Sequence, residues 1–172
     1  FIGGANIITG GREPVKEAKD KFYPKRIFIE KEVLDGDFTE RIVSAFPKSE
    51  KITISSLKEY KNFREDIFKN WKKDIFITNE KWDFFKNCPC TKNAVSCGYK
   101  ILNLGFGCPY DCSYCYLQEY TNFPGIILNA NIDDFFKSFE WAFKGMERLR
   151  VGTGEFTDSL ALDDITGYSK RL

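Results

Sequence analysis

The chain has 172 residues, of which 42% are apolar and 17 are phenylalanine, so it contains enough apolar material to form a packed core. That composition excludes disorder as the main state of the chain. Its 26 basic and 25 acidic residues nearly cancel, so net charge alone favours neither a nucleic acid nor a membrane partner.

Targeting signals are not evident in the sequence. No apolar run approaches the ~20 residues that span a bilayer. The opening Phe1-Ile2-Gly3-Gly4 lacks the layout of a signal peptide, so we predict a cytoplasmic protein. Because the chain starts without Met and stops at Arg171-Leu172, we also expect it to be a fragment of a longer protein.

Two residue counts restrict the chemistry. The chain contains no His, which excludes His-based triads and His metal sites. It contains six Cys, and in a cytoplasmic protein these indicate metal or redox chemistry before disulfides.

The first part of the chain alternates strand and helix patterns. Residues 1–21 have no assigned role. The following patterns predict a strand over 26–30, a helix over 38–46 that ends at Pro47, a strand over 51–54, a charged helix over 57–71 and a strand over 74–78. This order predicts a small α/β domain over residues 22–82.

Residues 83–98 form an irregular Cys-rich linker that contains Cys88, Cys90 and Cys97. Their spacing matches no single metal motif. These residues are either thiols in a loop without a special role, or a second metal site or redox pair.

A second unit follows the linker. The patterns predict a strand over 99–104, an extended piece over 126–128, a helix capped by Asn131, and a strand over 148–151 that leads into Gly152-Thr153-Gly154-Glu155. Residues 99–155 are therefore predicted to form a β–loop–α–β unit.

Cys108, Cys112 and Cys115 form a CxxxCxxC motif directly after the predicted strand. Three closely spaced thiolates can bind three irons of a [4Fe-4S] cluster and leave the fourth iron open to a cofactor. A structural zinc site is the alternative, but zinc usually takes four N/S ligands arranged in pairs. A fourth thiolate from Cys88, Cys90 or Cys97 would be needed to complete such a site.

These motifs resemble those of the radical S-adenosylmethionine (SAM) superfamily, and within it the spore photoproduct lyase family. The resemblance is carried by Cys108 to Gln118, by the extended piece that reaches Asn129, and by Gly152 to Leu160. It implies that Cys108, Cys112 and Cys115 hold a [4Fe-4S] cluster. It also implies that Tyr114, Gly152, Thr153, Gly154 and Glu155 contact S-adenosyl-L-methionine, although Thr153 interrupts the usual pair of glycines.

The resemblance also implies a fold and an activity. Residues 99–172 would form the truncated start of a partial (β/α)6 radical SAM barrel. The full enzyme would use a 5′-deoxyadenosyl radical to cleave a pyrimidine photolesion in DNA, with electrons from a donor such as flavodoxin or ferredoxin. The catalytic hydrogen-transfer residues are expected beyond Leu172, so the fragment itself should be inactive.

Two other functions stay open at this point. The chain could belong to a radical SAM enzyme with a substrate other than DNA, or form a non-catalytic module that binds zinc or an iron–sulfur cluster. The acidic residues Asp158, Asp163 and Asp164 could orient a substrate, although acidic residues after a strand are more often simply solvated.

Overall fold

The computed structural model describes residues 22–60, 72–81, 84–90, 95, 97–110, 112–116 and 125–172. These residues form a mixed α/β structure, which confirms the predicted fold class. The strands are β1 Arg26–Glu30, β2 Glu50–Ile54, β3 Asp74–Thr78, β4 Phe85–Asn87, β5 Tyr99–Leu102, β6 Gly105–Phe106, β7 Ile126–Asn129 and β8 Arg150–Gly152. The α-helices are α1 Asp37–Ala45, α2 Ile132–Phe143 and α3 Asp163–Thr166, with short 3-10 turns at Lys31–Val33, Leu57–Glu59 and Tyr168–Lys170.

The larger sheet has the strand order β2-β1-β3-β7-β6. Its first four strands are parallel, and only the edge strand β6 runs antiparallel, paired with β7. Every residue of β3 and β7 is buried. The continuous apolar sequences of these strands are explained by this position, because a central parallel strand is covered on both faces.

Successive side chains along a strand point to opposite faces of the sheet, so the core is divided between the two faces. Residues such as Ile27, Ile75 and Ile126 point to the face covered by the helices and join one large apolar cluster. Their neighbours Phe28, Phe76 and Ile127 point to the other face and form a second, smaller cluster. In that cluster the rings of Phe28 and Phe76 stack with centroids 4.6 Å apart.

Helix α1 forms where the sequence predicts it. Phe38 and Ile42, four residues apart, are both buried against the sheet. The helix ends at Ala45, and the following Phe46 also packs into the core ahead of Pro47. The charged helix predicted over 57–71 lies mostly outside the described residues, as do residues 1–21.

The smaller sheet has the order β4-β5-β8, with β4 antiparallel and β8 parallel to β5. The parallel pairing of β5 and β8 agrees with the predicted β–loop–α–β unit. The linker predicted to be irregular contains strand β4, because Phe85 to Asn87 pair with Leu102 to Lys100. Leu102 and Leu104 enter the large apolar cluster beside Phe84, so the two sheets share one core.

The predicted domain division remains a prediction. Strand β7, which lies beyond the Cys-rich linker, pairs with β3 of the first unit. The larger sheet is therefore built from both sides of the linker. The assignment of residues 99–172 to the start of a barrel is likewise still a prediction.

Asn131 does not cap helix α2 with its side chain, contrary to the sequence prediction. Its Oδ1 accepts a hydrogen bond from the Glu80 backbone N–H at 3.0 Å, and its Nδ2 donates to the Glu80 carbonyl at 2.6 Å. The side chain instead holds the residues after β3 against the start of α2. A tertiary contact has replaced the local cap.

None of the helices among the described residues is both long enough and apolar enough to cross a membrane.

Candidate functional site

The CxxxCxxC cysteines lie just after strand β6, at the edge of the larger sheet. The thiols of Cys108, Cys112 and Cys115 are half-buried and not in disulfides. A turn closes the second half of the motif, because the Cys115 backbone N–H donates to the Cys112 carbonyl at 3.0 Å. The motif therefore presents three thiols from one short segment.

Cys108 has the most structured surroundings of the three. Burial raises the pKa of its thiol, and the backbone groups of Tyr110 and Asp158 oppose that rise through hydrogen bonds to the sulfur. The positive charge of Lys72 acts in the same lowering direction, and its ammonium group donates to the Tyr110 carbonyl at 2.5 Å. Hydrogen bonds of this kind stabilise a thiolate or a sulfur bound to metal.

The segment that follows β8 packs directly on the start of the cysteine motif. Gly107 donates its backbone N–H to the Phe156 carbonyl at 2.8 Å. In return, the Thr157 hydroxyl donates to the Gly107 carbonyl at 2.6 Å. The rings of Phe106 and Phe156 lie 5.2 Å apart. Two motifs that are about 45 residues apart in the sequence are thus adjacent in the fold.

Glu155 lies at this junction. Its Oε2 is buried and lies 2.8 Å from the ammonium group of Lys86, its ion-pair partner. The same ammonium group lies 4.3 Å from the centre of the Phe156 ring. A carboxylate has about four acceptor positions, so Glu155 can bind an additional cationic donor, such as an amino group, besides Lys86.

The other predicted cofactor contacts are less enclosed. The Tyr114 side chain is 89% exposed, so its ring is available to a ligand but packs on little of the protein. Thr153 shares a hydrogen bond of 2.7 Å with Ser159, which gives the residue between the two glycines a partner within the same segment. A cavity beside Gly107 and Thr157 holds about 20 Å³, which is room for one water molecule.

A second group of cysteines lies at the other end of β5. The sulfur atoms of Cys88, Cys90 and Cys97 are all within 4.8 Å of one another, and those of Cys90 and Cys97 are 3.4 Å apart. Partial burial, together with hydrogen bonds that the Cys88 thiol donates to Cys97 and Cys90, raises the pKa of Cys88 to about 11. Hydrogen bonding to the Tyr99 backbone, and then to Cys90, lowers the pKa of Cys97.

Among the described residues, this second group is the only set of three acidic or thiol side chains gathered that closely. Cys108, Cys112 and Cys115 are not gathered that closely.

The sequence identified the cysteines and the Gly152–Glu155 segment, but missed their neighbours. Lys86 lies in the predicted linker, and no sequence pattern gives Thr157 a role of its own. Tyr116, whose hydroxyl donates to the Glu155 carbonyl at 3.4 Å, was also missed. No local pattern marks these residues, because each reaches the site through pairing of distant segments.

Comparison with known proteins supports the fold. No protein-family model matches the chain, and no curated protein matches it. Solved structures do match: spore photoproduct lyase complexed with dinucleoside spore photoproduct has a TM-score of 0.67 and 20% sequence identity. A mutant of that enzyme with bound AdoMet and dinucleoside spore photoproduct has a TM-score of 0.67 and 21% identity. Another mutant with dinucleoside spore photoproduct has a TM-score of 0.68 and 21% sequence identity.

Each of these alignments covers 88% of this chain and 45% of the solved chain. The chain therefore spans less than half the length of the structures that it matches. The resemblance predicted from the sequence is confirmed at the level of the fold.

Proposed function

We propose that this chain belongs to a radical SAM enzyme in which Cys108, Cys112 and Cys115 hold a [4Fe-4S] cluster. The observation that carries the proposal is the direct contact of Gly107 with Phe156 and Thr157. This contact places the thiol motif beside the Gly152–Glu155 segment, as a cofactor shared by the two motifs would require. A structural zinc loop has no need for that second segment.

The residues present fit this pair of cofactors. Three half-buried thiols form a soft donor set of the kind that binds iron–sulfur clusters. The Glu155 side chain is 23% exposed, and its carboxylate has acceptor positions beyond the contact with Lys86 that fit the amino group of S-adenosyl-L-methionine. Bound together, the cluster and S-adenosyl-L-methionine would supply a one-electron reductive cleavage of the latter.

The protein's own contribution is to bind and orient. The backbone groups of Tyr110 and Asp158 would fix the Cys108 sulfur. Glu155 would hold the methionyl amino group, with Gly152, Thr153 and Gly154 offering backbone groups beside it. Tyr114, with its exposed ring, would stack on the adenine. Lys86 would hold the Glu155 carboxylate in position.

For the substrate, we propose a pyrimidine photolesion in DNA. The support is the fold shared with spore photoproduct lyase, whose solved structures contain dinucleoside spore photoproduct. A damaged base costs less to extrude from a duplex than an intact one, which favours such a lesion as a substrate. The electron donor would be a small redox protein such as flavodoxin or ferredoxin.

Anaerobic reconstitution with iron and sulfide tests the cluster. We expect the absorption and electron paramagnetic resonance signals of a [4Fe-4S] cluster, and their loss in each of Cys108→Ala, Cys112→Ala and Cys115→Ala. Cys90→Ala is the matched control, because it removes a cysteine outside the motif and should retain the cluster. Zinc in place of iron that is lost in these three variants but retained in the control would instead support the non-catalytic module.

The substrate requires a separate experiment with the full-length protein. DNA that carries the spore thymine dimer is incubated with reductant and S-adenosyl-L-methionine, and restored thymine is measured. Repair supports the lesion proposal. Formation of 5′-deoxyadenosine without repair overturns that proposal in favour of another substrate, while the absence of both products overturns the cofactor assignment as well.

A further inference from the structure

We propose that Cys88, Cys90 and Cys97 form a second metal site that binds one thiophilic divalent cation, with Zn²⁺ the best match. The site is independent of the proposed [4Fe-4S] cluster. It uses three cysteines to which the proposed activity assigns no role.

The hairpin between β4 and β5 gathers these cysteines. Cys88 directly follows β4, and its backbone N–H donates to the Tyr99 carbonyl at 2.9 Å, which extends the β4–β5 pairing by one step. Cys97 lies two residues before β5, followed by Gly98 with φ of +67°. Cys90 lies in the loop between them, with its N–H bonded to the Cys88 carbonyl at 2.8 Å. Backbone hydrogen bonds thus hold Cys88 and Cys90 beside the start of β5, where Cys97 also lies, without any metal.

The separation of the sulfur atoms suits a single ion. Zinc–sulfur bonds of about 2.3 Å in a tetrahedron place the sulfur atoms about 3.8 Å apart. The three thiols here lie within 4.8 Å of one another, with the closest pair 3.4 Å apart. Small side-chain rotations are therefore sufficient to bring all three onto one cation.

The surrounding charge is also suitable. Three thiolates and one divalent cation leave a net charge of −1. The Arg150 guanidinium lies at the same edge of the smaller sheet, where it donates to the Cys97 carbonyl at 3.4 Å and lies 5.9 Å from the Tyr99 ring centre. A fixed positive charge beside the site stabilises the metal-bound thiolates.

The fourth ligand would come from outside the hairpin. Residues 91–96, Thr-Lys-Asn-Ala-Val-Ser, offer no Cys, His or carboxylate. Because Cys97 is exposed, a water molecule or an added ligand can reach the fourth position.

The two cysteine groups lie at opposite ends of β5. The second group precedes Tyr99, whereas Cys108 follows Leu102 and β6. A strand rises about 3.3 Å per residue, so the four residues of β5 alone place about 10 Å between its ends. One ion cannot bridge the groups. The second site lies at the start of the strand, where an ion would tie the hairpin together.

The test uses the variant Cys108→Ser/Cys112→Ser/Cys115→Ser, which removes the other thiol motif. The reduced, metal-free protein is titrated anaerobically with Co²⁺ and then with Zn²⁺. We expect one equivalent of Co²⁺ with sulfur-to-cobalt charge-transfer bands and tetrahedral d–d bands, displaced by Zn²⁺. Adding Cys90→Ser or Cys97→Ser should weaken binding by more than the about 10- to 100-fold typical of losing an outer-shell partner. Val95→Ala, at a 96% exposed position in the same loop, is the control.

A second measurement avoids dependence on the multiple variant. In the original chain, Zn²⁺ should protect Cys88, Cys90 and Cys97 from alkylation, as read by peptide mass spectrometry. No protection, or cobalt binding that survives Cys90→Ser and Cys97→Ser, overturns the proposal. A Cys90–Cys97 disulfide in freshly isolated, unreduced protein overturns it in favour of a redox pair. Loss of the [4Fe-4S] cluster in the earlier experiment has no bearing on either result.

Discussion

The hydroxyl group of Tyr99 occupies the space that a side chain at Gly152 would need. A Cβ atom built on Gly152 would lie 1.6 Å from the Tyr99 hydroxyl oxygen and 2.6 Å from Cζ of the ring. The two residues come from the adjacent parallel strands β5 and β8. The first glycine of the Gly152–Glu155 segment therefore has a packing role, independent of any cofactor.

Gly152→Ala should destabilise the chain by about 1–3 kcal/mol, because the Tyr99 ring must move to admit the methyl group. In a Tyr99→Ala background the same change should cost less, with a coupling energy of about 1 kcal/mol or more. Denaturant unfolding of the four proteins measures both. Gly154→Ala is the control, since its Cβ would have an ordinary contact of 3.6 Å with the Thr157 carbonyl. If the losses of unfolding free energy from Gly152→Ala and Tyr99→Ala were additive, the contact between the two residues would not explain the cost of Gly152→Ala.

Arg26→Ala should cost about 3–5 kcal/mol, because it leaves the Asp74 carboxylate buried without its partner. The Arg26 guanidinium donates to Asp74 at 3.1 Å and 2.5 Å across β1 and β3, and the Asp74 side chain is fully buried. Lys81→Ala breaks the exposed Lys81–Glu32 pair as a control and should cost much less, because solvent screens that pair. Equal losses of unfolding free energy in the two variants would refute the assigned role of the buried pair.

Stability should fall at alkaline pH because of Tyr168. This side chain is 5% exposed and donates its hydroxyl to the Asn129 carbonyl at 2.7 Å. Burial raises the pKa of Tyr168 far above its ordinary value, although the charge of nearby Arg41 opposes the rise. Above a pH of about 10 the unfolded chain loses this proton and the folded chain keeps it, so stability decreases by up to about 1.4 kcal/mol per pH unit.

Tyr168→Phe provides the comparison. It should lower the unfolding free energy at pH 7 by about 0.5–1.5 kcal/mol through the lost hydrogen bond. It should also flatten the decline between pH 9 and about 11, because no proton is then lost at this position. Urea unfolding at several pH values measures both effects. If the unfolding free energy of Tyr168→Phe fell as steeply with pH as that of the original protein, the decline would come from other titrating groups.

Glu155→Gln should weaken binding of S-adenosyl-L-methionine about tenfold or more, since a neutral amide replaces the charged acceptor proposed for the amino group. Equilibrium binding to the reconstituted, unreduced protein measures the affinity without turnover. Glu140→Gln, at an exposed position on α2, is the matched control and should leave affinity unchanged. Unchanged affinity in Glu155→Gln as well would remove Glu155 from the proposed site.

Much of the larger sheet and both longer helices could be predicted from local patterns. Phe38 and Ile42 lie at helical spacing ahead of Pro47, and the β-branched run at Ile75 is typical of a buried strand. Strands β4 and β6 could not be predicted, because three and two residues carry no periodic pattern. They form only because β5 and β7 supply their partners.

One part of the candidate site could likewise be predicted from the sequence, and the other part could not. Spacing alone predicts Cys108, Cys112 and Cys115 as ligands, since all three lie within eight residues of the sequence. The grouping of Cys88, Cys90 and Cys97 depends on the pairing of β4 with β5, which no pattern in the sequence predicts. The ion pair of Lys86 with Glu155 joins residues from β4 and from the segment after β8, so it depends on the completed fold.

The strand order of the larger sheet also governs how the chain can assemble as it leaves the ribosome. Strands β1, β2 and β3 can pair once residue 78 has emerged, but β7 ends at residue 129. During that interval the outer backbone groups of β3 have no partner, and an exposed, apolar edge strand is a template for pairing with another chain. Slow translation or truncation between these positions would therefore promote aggregation of nascent chains through Ile75 and Ile77.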